Sequence, residues 1–364
     1  MIKSKTPTFA RSHTDFPSTL NKRVNDYFVY NKVSKHANGE MVVKTVVVFT
    51  MYFLPYGLIV SGIATHWLAM LALLMVMSLG AAGIGLSVMH DANHGAYSKR
   101  KWVNTLIGYS LNLIGASAFN WKMQHNVLHH TFTNVLEEDE DISPRGLFRL
   151  TPHSEWKRIH RYQHIYAWPV YGLMTLVWMV YSDFARIVKY WKTGLAEKYK
   201  ANIAKEWVIL IGSKLIFVGY IFVIPVVFTP LYWWQVLMGI IILHYITGFL
   251  LAIIFQPAHV IEGTEFPLPD ENATLKNNWA VHQLLTTTNF GNRSLWFSWY
   301  VGGLNYQIEH HLFPTICHVH YRKIARIVKD TAQEFGLPYR SIGTFGQALV
   351  SHARLLRQLG MKPA

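Results

Sequence analysis

Four long apolar runs limit what this chain can fold into. They lie at residues 42–63, 67–89, 207–228 and 231–256. Each is about as long as the helix of roughly 20 residues that crosses a bilayer. Only 15% of the residues are charged, against about a quarter in soluble proteins. The sequence therefore predicts an all-α integral membrane protein with four transmembrane helices, and we expect Lys214, inside the third run, to extend its side chain to the interface.

Basic residues indicate how these helices are oriented. Of the 34 Lys and Arg residues, 32 lie in three segments, residues 1–40, 90–205 and 257–364. The positive-inside rule places these segments, and hence both termini, in the cytoplasm beside the cell membrane. We expect two transmembrane hairpins, 41–89 and 206–256, under a cytoplasmic helical cap. The net charge of +14 suits membrane lipid headgroups or an acidic protein partner, and no nucleic-acid motif accompanies it.

Three further segments complete this prediction. Residues 103–119 contain several polar side chains, and residues 165–181 are short and include Pro169, so both are expected to lie in the membrane interface. Apolar residues at helical spacing between 20 and 28 predict an N-terminal amphipathic helix that lies on the membrane. Residues 1–40 contain no long apolar run, so no cleaved secretory signal is expected. The single cysteine fits a reducing compartment.

Histidines are grouped where this topology meets the cytoplasm. The groups are "HDANH" with His90 and His94, "HNVLHH" with His125, His129 and His130, "FQPAHV" with His259, and "QIEHH" with His310 and His311. Spacings of three and four place side chains on one face of a helix. Each group alone is weak evidence, because short motifs recur by chance. Eight histidines at one membrane face are costly to desolvate unless they bind something, so we interpret them as metal ligands.

The donor type leaves the metal open, because imidazole suits zinc, copper, iron and nickel. Eight nitrogen donors exceed what one tetrahedral zinc with an open position would use. They would serve two ions with three to five ligands each. Two redox-active irons could accept two electrons and split dioxygen, whereas an isolated zinc could not.

The three ordered boxes, with "GGLNYQIEHHLFP" and "WAVHQLLTTTNFGN" around the third, resemble the membrane fatty acid desaturases. More narrowly, the chain resembles the front-end, linoleoyl-CoA desaturase-like branch, in which glutamine opens the third box. The resemblance implies four spanning helices beneath a cytoplasmic cap that holds a di-iron centre. It also implies O2-dependent insertion of a cis double bond into a long-chain acyl-CoA or acyl-lipid. Electrons would come from an external donor, an acidic ferredoxin or a b-type cytochrome, because the chain contains neither a flavin fingerprint nor the His-Pro-Gly-Gly haem motif.

The resemblance also implies roles for individual residues. Seven histidines match the family's box ligands and His259 matches its additional histidine. Gln307 stands where many relatives have a histidine, so it is a candidate catalytic residue that ligates, holds a water or only hydrogen-bonds. Phe255 replaces the family's water-bridging asparagine, which leaves Asn289, Asn305 and Gln307 as candidates to complete one iron site.

Other polar and aromatic residues have two interpretations each. Asn134, Asp139 and Asp141 either hydrogen-bond to ligating histidines or form a solvated acidic turn. The same choice between orienting a ligand and polar surface applies to His282, His318 and His320. The pair His160 and His164 is expected on the wet face of the interfacial helix, and His244 is expected to be a packed histidine with a backbone partner. Four tryptophans line an acyl tunnel or belong to the core or the interface belt, namely Trp121, Trp279, Trp296 and Trp299.

The sequence leaves two alternative functions open. A hydroxylase on the same scaffold would share the first hydrogen abstraction. A histidine-rich membrane metal or haem carrier would be a different class of protein.

Overall fold

The computed structural model describes residues 6–11, 14–143 and 146–363. Four helices are long and apolar enough to cross a membrane, and we call them the first to fourth spans: Gly39–Val60, Trp67–Asn93, Ile203–Phe228 and Trp233–His259. These are the four helices that the apolar runs predicted. In the described part of the chain the remaining structure is mainly short helices, with four strands of two residues each.

Each span extends beyond its apolar run at one end, where polar residues begin or end the helix. The first span begins after Asn38, whose side chain accepts a hydrogen bond from Met41 N, and the third begins after Asn202, which accepts one from Lys205 N. The second span continues through a π-helical turn, Ile84–Val88, into the polar helix Met89–Asn93. Hydropathy does not register such polar ends, so each predicted run stops three or four residues short there, whereas the runs 42–63 and 231–256 reach three and two residues too far at their other ends.

The chain forms two compact units. Unit 1 contains the described residues of Met1–Lys35, Gln124–Ala167 and Ile254–Ala364, and unit 2 contains His36–Met123 and Trp168–Ile253. Each unit is therefore assembled from segments that are distant in the sequence. The last residues of the fourth span, from Ile254 onward, belong to unit 1.

Unit 2 contains the first three spans and most of the fourth. The first and second spans approach closely at Gly80, where an added Cβ would lie 2.6 Å from Tyr52 N, so only glycine permits this packing. The two segments expected at the interface are not continuous helices. The first forms Lys101–Gly108, Ser110–Leu113 and Ala118–Trp121. The second forms Gln163–Tyr171 and Met174–Val177, a π-helical turn, Trp178–Ser182, and then Asp183–Lys192.

Lys214 has a partner inside the fold that the sequence did not predict. Its side chain is 11% exposed, and its ammonium lies 2.7 Å from Asp183 Oδ2. It also donates to the carbonyl oxygen of Gly115 over 2.6 Å. Snorkelling is the default for a lysine with no buried partner, but here a carboxylate from another segment provides one.

Unit 1 is built around three longer helices, Phe16–Tyr30, Tyr321–Glu334 and Phe345–Gly360. Its shorter helices include those that carry His130 and the third histidine group: His130–Phe132, Arg158–Tyr162, Trp279–Thr286, Leu295–Tyr300, Gln307–Leu312 and His318–His320. Two pairs of parallel strands connect distant segments. Thr8–Phe9 pairs with Thr274–Leu275, and Asn289–Phe290 pairs with Ser341–Ile342.

The N-terminal helix Phe16–Tyr30 has the predicted amphipathic face but a different partner. Leu20, Val24 and Phe28 are 2%, 1% and 4% exposed, and they pack in one core with Ile324 and Val328 of helix Tyr321–Glu334. The expectation that this face lies on the membrane was therefore wrong. Helical spacing defines an apolar face, but the surface that covers it depends on the fold.

Candidate metal centre

Six of the eight predicted ligands lie in unit 1, on three short stretches of helix. His125 and His129 lie on the π-helical segment Lys122–His129, and His130 follows directly. His259 is the last residue of the fourth span. His310 and His311 lie on Gln307–Leu312. All six are at most 5% exposed. The three helical segments thus bring six imidazoles into one buried region.

The first group contains His125, His130 and His310. His130 Nε2 lies 3.2 Å from His125 Nε2 and 2.9 Å from His310 Nε2. At the bond length of about 2.0–2.1 Å that is typical of a metal–imidazole bond, two ligands at right angles would have nitrogens about 3 Å apart. The three ring nitrogens are therefore spaced as ligands of a shared ion would be.

The second group contains His129, His259 and His311, whose ligand atoms all lie within 4.8 Å of one another. His311 also belongs to a set with His130 and His310 that meets the same limit, so the two groups adjoin. Among the described residues, His259 Nε2 is buried without a hydrogen-bond partner. A buried polar atom without a partner is costly, and a bound cation at this position would remove that cost.

The other ring nitrogen, Nδ1, is held by a different residue in four of these histidines. Nδ1 of His129 lies 3.0 Å from Asp139 Oδ2, and Nδ1 of His311 lies 2.8 Å from Gln283 Oε1. Nδ1 of His259 lies 3.2 Å from the Thr286 carbonyl oxygen. Nδ1 of His310 lies 3.2 Å from the Tyr321 hydroxyl. A proton held at Nδ1 leaves the Nε2 lone pair for a metal. This arrangement is the one that metal-ligating histidines typically show.

Asp139 is a buried carboxylate that orients His129, as one of its two sequence interpretations predicted. Burial opposes its charge, but the His129 imidazole and the backbone N–H groups of Asn134 and Asp141 outweigh burial, so the pKa of Asp139 lies below its usual value. Burial likewise opposes a charge on His129, yet the nearby carboxylate raises its pKa. Asp139 is therefore ionised at neutral pH and fixes the orientation of this ring.

Gln307 begins the helix that carries His310 and His311, and its side chain is buried beside the His259 imidazole. Within the part of the chain that the structure describes, Gln307 Nε2 has no hydrogen-bond partner. The other candidates to complete an iron site are engaged elsewhere. Asn289 Nδ2 donates to Glu309 Oε2 over 2.8 Å, and Asn305 Nδ2 donates to a serine hydroxyl over 2.9 Å. Of the three, Gln307 has the amide that faces a predicted ligand.

His90 and His94 lie in unit 2, one helical turn apart as their spacing predicted. His90 is buried and His94 half-buried, and their ring centroids are 4.7 Å apart. The Trp121 ring packs against both, at 5.4 Å and 5.5 Å. The preceding residue, Asn120, donates to the Asp183 carbonyl oxygen over 2.7 Å and so holds this tryptophan in place.

Several other predicted residues have structural roles. His160 was expected on a wet face, which was wrong. It is 1% exposed, accepts from Lys157 N and contacts the Gly146 carbonyl oxygen through Nε2. His244 is packed as expected, but Nδ1 contacts the hydroxyl of Thr175 instead of a backbone group. His282 Nε2 contacts the Thr133 carbonyl oxygen, so it supports the chain beside the ligands.

The remaining predicted residues differ in exposure and contacts. His318 and His320 are 5% and 3% exposed, so neither is a surface residue. Trp279 Nε1 donates to the His130 carbonyl oxygen over 2.9 Å, whereas Trp296 is 85% exposed. Asn134 Nδ2 donates to the His259 carbonyl oxygen over 3.0 Å, so it joins two of the ligand-bearing segments.

Two residues that contact the candidate ligands were not predicted from the sequence, Gln283 and Tyr321. Gln283 Oε1 accepts from Thr133 Oγ1 over 2.9 Å as well as contacting His311, and its Nε2 donates to the His130 carbonyl oxygen over 3.2 Å. Their local sequence carries no motif of a metal site. Both act through contacts with residues that are distant in the chain.

The donor set fits a bound transition metal. It consists of buried imidazole nitrogens at ligand spacing, with Nδ1 oriented by neighbouring oxygens and with the Gln307 side chain buried beside His259. Imidazole donors favour zinc, copper, iron or nickel over magnesium or calcium. The geometry therefore supports a metal centre and does not by itself select the metal.

Comparison with known proteins identifies the family. The family model described as fatty acid desaturase matches residues 65–343. The chain is 34% identical over 351 residues to the sn-1 linoleoyl-lipid 6-desaturase of Synechocystis sp., with 95% of each chain covered. It is 36% identical over 360 residues to the protein of that name from Arthrospira platensis, covering 98% of this chain and 95% of the relative. The acyl-lipid (8-3)-desaturase of Physcomitrium patens is 37% identical over 354 residues, which cover 95% of this chain and 72% of the relative. The chain thus belongs to the fatty acid desaturase family, as an integral membrane oxidoreductase that fits its front-end branch.

Proposed function

We propose that this enzyme is an O2-dependent acyl-lipid desaturase with a di-iron centre. The observation that carries the proposal is the cluster of six buried imidazoles in unit 1, spaced as metal ligands and oriented through Nδ1. The relatives support the substrate class, because they are named for action on linoleoyl-lipids and acyl-lipids. Resemblance to the front-end branch favours a new double bond on the carboxyl side of an existing one.

The eight histidines of the boxes and the fourth span are the proposed iron ligands: His90, His94, His125, His129, His130, His259, His310 and His311. Two irons would supply the redox chemistry that removes hydrogen from an unactivated methylene. The protein's own part is positional. Asp139 and Gln283 contact Nδ1 of His129 and His311, and the burial of the cluster limits the access of water to it.

The surroundings of the enzyme follow from its charge pattern. We infer that the basic segments face the cytoplasm, because Lys and Arg are retained on that side of the cell membrane. Both termini and the metal centre would then be cytoplasmic. The electrons that the reaction consumes would come from an external carrier, an acidic ferredoxin or a b-type cytochrome, that binds a basic surface.

The test is heterologous expression in a host that lacks desaturases and is supplied with linoleic acid. We expect lipids with one additional double bond, located by mass spectrometry, and about two irons per purified chain. His311→Ala should lose both product and iron. The matched control is His66→Asn, which changes an exposed histidine that caps the second span and should retain both.

Three results would contradict the proposal. A fully iron-loaded and active His311→Ala variant would exclude this residue as a ligand. A hydroxylated chain as the main product would assign the protein to the hydroxylases of the same scaffold. A Soret band in the purified protein, together with no change in host lipids, would indicate a haem carrier.

A further inference from the structure

We propose that the exposed basic face of helix Tyr321–Glu334 is the docking surface for an acidic protein that carries one electron at a time. The inference rests on the proposed function, because it supplies the electrons that an oxygen-dependent desaturase needs. Two observations support it independently. One is the charge of the surface, and the other is a hydrogen-bonded connection from this helix to a predicted ligand.

The electron balance requires such a partner. Conversion of one CH2–CH2 unit and one O2 to CH=CH and two waters consumes two electrons and two protons in addition to the two hydrogens removed. The substrate is oxidised by two electrons and dioxygen is reduced by four. The difference of two must be supplied by a reductant. A one-electron carrier would supply them in two successive encounters.

The helix has two distinct faces. Its buried face includes Tyr321, Ile324 and Val328, which belong to the core of unit 1. The side chains that it exposes over its first nine residues are all basic, namely Arg322, Lys323, Arg326 and Lys329. Four cations on one face of a helix form a surface that attracts an acidic partner and raises its association rate.

The acidic residues of the same helix lie toward its end and face cations. Asp330 Oδ2 is 3.7 Å from Arg326 Nε, and Glu334 Oε2 is 2.6 Å from Arg23 Nη1. These exposed pairs contribute little to stability. Because these pairs partly neutralise the charges in the later part of the helix, its beginning, at Arg322 and Lys323, is its most positive part.

The beginning of the helix also contacts the histidine cluster. Tyr321 is 1% exposed, and its hydroxyl lies 3.2 Å from His310 Nδ1. His310 Nε2 in turn lies 2.9 Å from His130 Nε2. An electron delivered at Arg322 or Lys323 would therefore arrive one or two residues away from Tyr321, whose side chain contacts a predicted ligand.

A basic helix face could instead bind anionic lipid headgroups. The contact between Tyr321 and His310 favours the electron carrier, because membrane attachment would not require a connection from this helix to the metal ligands. A second exposed basic pair, Arg354 and Arg357 on helix Phe345–Gly360, provides a matched control for charge alone.

The experiment compares the parent with Arg322→Glu/Lys323→Glu/Arg326→Glu in nanodiscs of zwitterionic lipid, which remove the contribution of anionic lipid. The probe is a reduced, acidic [2Fe–2S] ferredoxin. We expect the Kd for ferredoxin and the KM for it in the desaturation assay to rise at least about tenfold at low salt. The difference should shrink as the ionic strength increases. Arg354→Glu/Arg357→Glu should change both constants by less than about twofold.

A second measurement separates this proposal from the proposed function. Dithionite-reduced protein receives O2 and acyl lipid in a single turnover without ferredoxin. Equal product from the parent and the triple variant is expected, because the changed residues are exposed. If the parent makes no product here, the proposed function is wrong. If it does, and the triple variant has the parent's Kd and KM, the docking surface is wrong. The docking surface is also wrong if the variant keeps the parent's Kd and KM for ferredoxin and loses only its association with anionic vesicles. That result would assign this face to lipid.

Discussion

The buried ion pair between Lys214 and Asp183 provides a quantitative test of how unit 2 is held together. Lys214 lies inside the third span, and Asp183 begins the helix Asp183–Lys192. Their side chains are 11% and 4% exposed and their charged atoms are 2.7 Å apart. Asn120 Nδ2 also lies within 3.3 Å of Asp183 Oδ1, and Lys214 donates to the Gly115 carbonyl oxygen. The substitution Lys214→Met removes the ammonium and leaves the Asp183 carboxylate buried.

The expected loss follows from desolvation. Removing one member of a buried ion pair costs about 3–5 kcal/mol, because the remaining charge stays out of water without its partner. Asn120 still donates to Asp183 in the variant, so we expect the lower end, about 3 kcal/mol. With an unfolding entropy of about 2.1 cal/mol/K per residue over 364 residues, the Tm should fall by about 4 °C.

The double variant Lys214→Met/Asp183→Leu distinguishes charge from packing. Replacing both ions by apolar side chains of similar size is close to neutral. The Gly115 carbonyl still loses its donor, at about 1 kcal/mol. We therefore expect the double variant to be more stable than Lys214→Met and to lie within about 1 kcal/mol of the parent.

The assay is thermal unfolding of the purified protein in detergent, followed by tryptophan fluorescence. Lys205→Met, an exposed lysine on the same helix, is the matched control and should shift stability by less than about 0.5 kcal/mol. If Lys214→Met melts with the control, the pair is hydrated and the argument from desolvation is wrong. If the double variant is as unstable as the single one, packing and not charge accounts for the loss.

Three further predictions follow from individual contacts. Gln307→Ala should keep most of its iron and lose most of its turnover, because a neutral amide is a weaker metal donor than imidazole. Iron content and product yield are measured together on this variant. A desaturation rate equal to that of the parent would show that the side chain only packs. Burial lowers the pKa of His352 to about 4. The neutral His352 side chain therefore contributes its full stability above the unfolded pKa of about 6.5. This contribution, about 3 kcal/mol in total, is lost as the pH falls toward 4. The Tm of His352→Asn should therefore fall less steeply between pH 6.5 and 4 than that of the parent, and parallel curves would refute this assignment. Single cysteines are introduced at the exposed positions Lys32 and Arg357, and the buried Cys317 is left in place. Both new cysteines should be labelled from the cytoplasmic side. Labelling from opposite sides would contradict the orientation inferred from the positive-inside rule.

The sequence by itself determined the four spans and the local spacing of the candidate metal ligands. Apolar runs of bilayer length can satisfy their backbone groups in lipid only as helices, and all four spans are present. Ligand spacing within a box is equally local, because one helical turn brings His90 and His94 together. Features that depend on hydropathy or on the helical period within a single segment could therefore be predicted.

The tertiary structure decided which side chains meet when the sequence separates them. Helical spacing defined the apolar face of Phe16–Tyr30 but not its partner, and the core of unit 1 covers it instead of the membrane. The roles of Gln283 and Tyr321 have the same origin, since Gln283 meets a histidine 28 residues away and Tyr321 one that is 11 residues away. Lys214 is buried because Asp183, from a different segment, lies beside it. A hydrogen bond or an ion pair is specified by the positions of two side chains, and local sequence contains the information for only one of them.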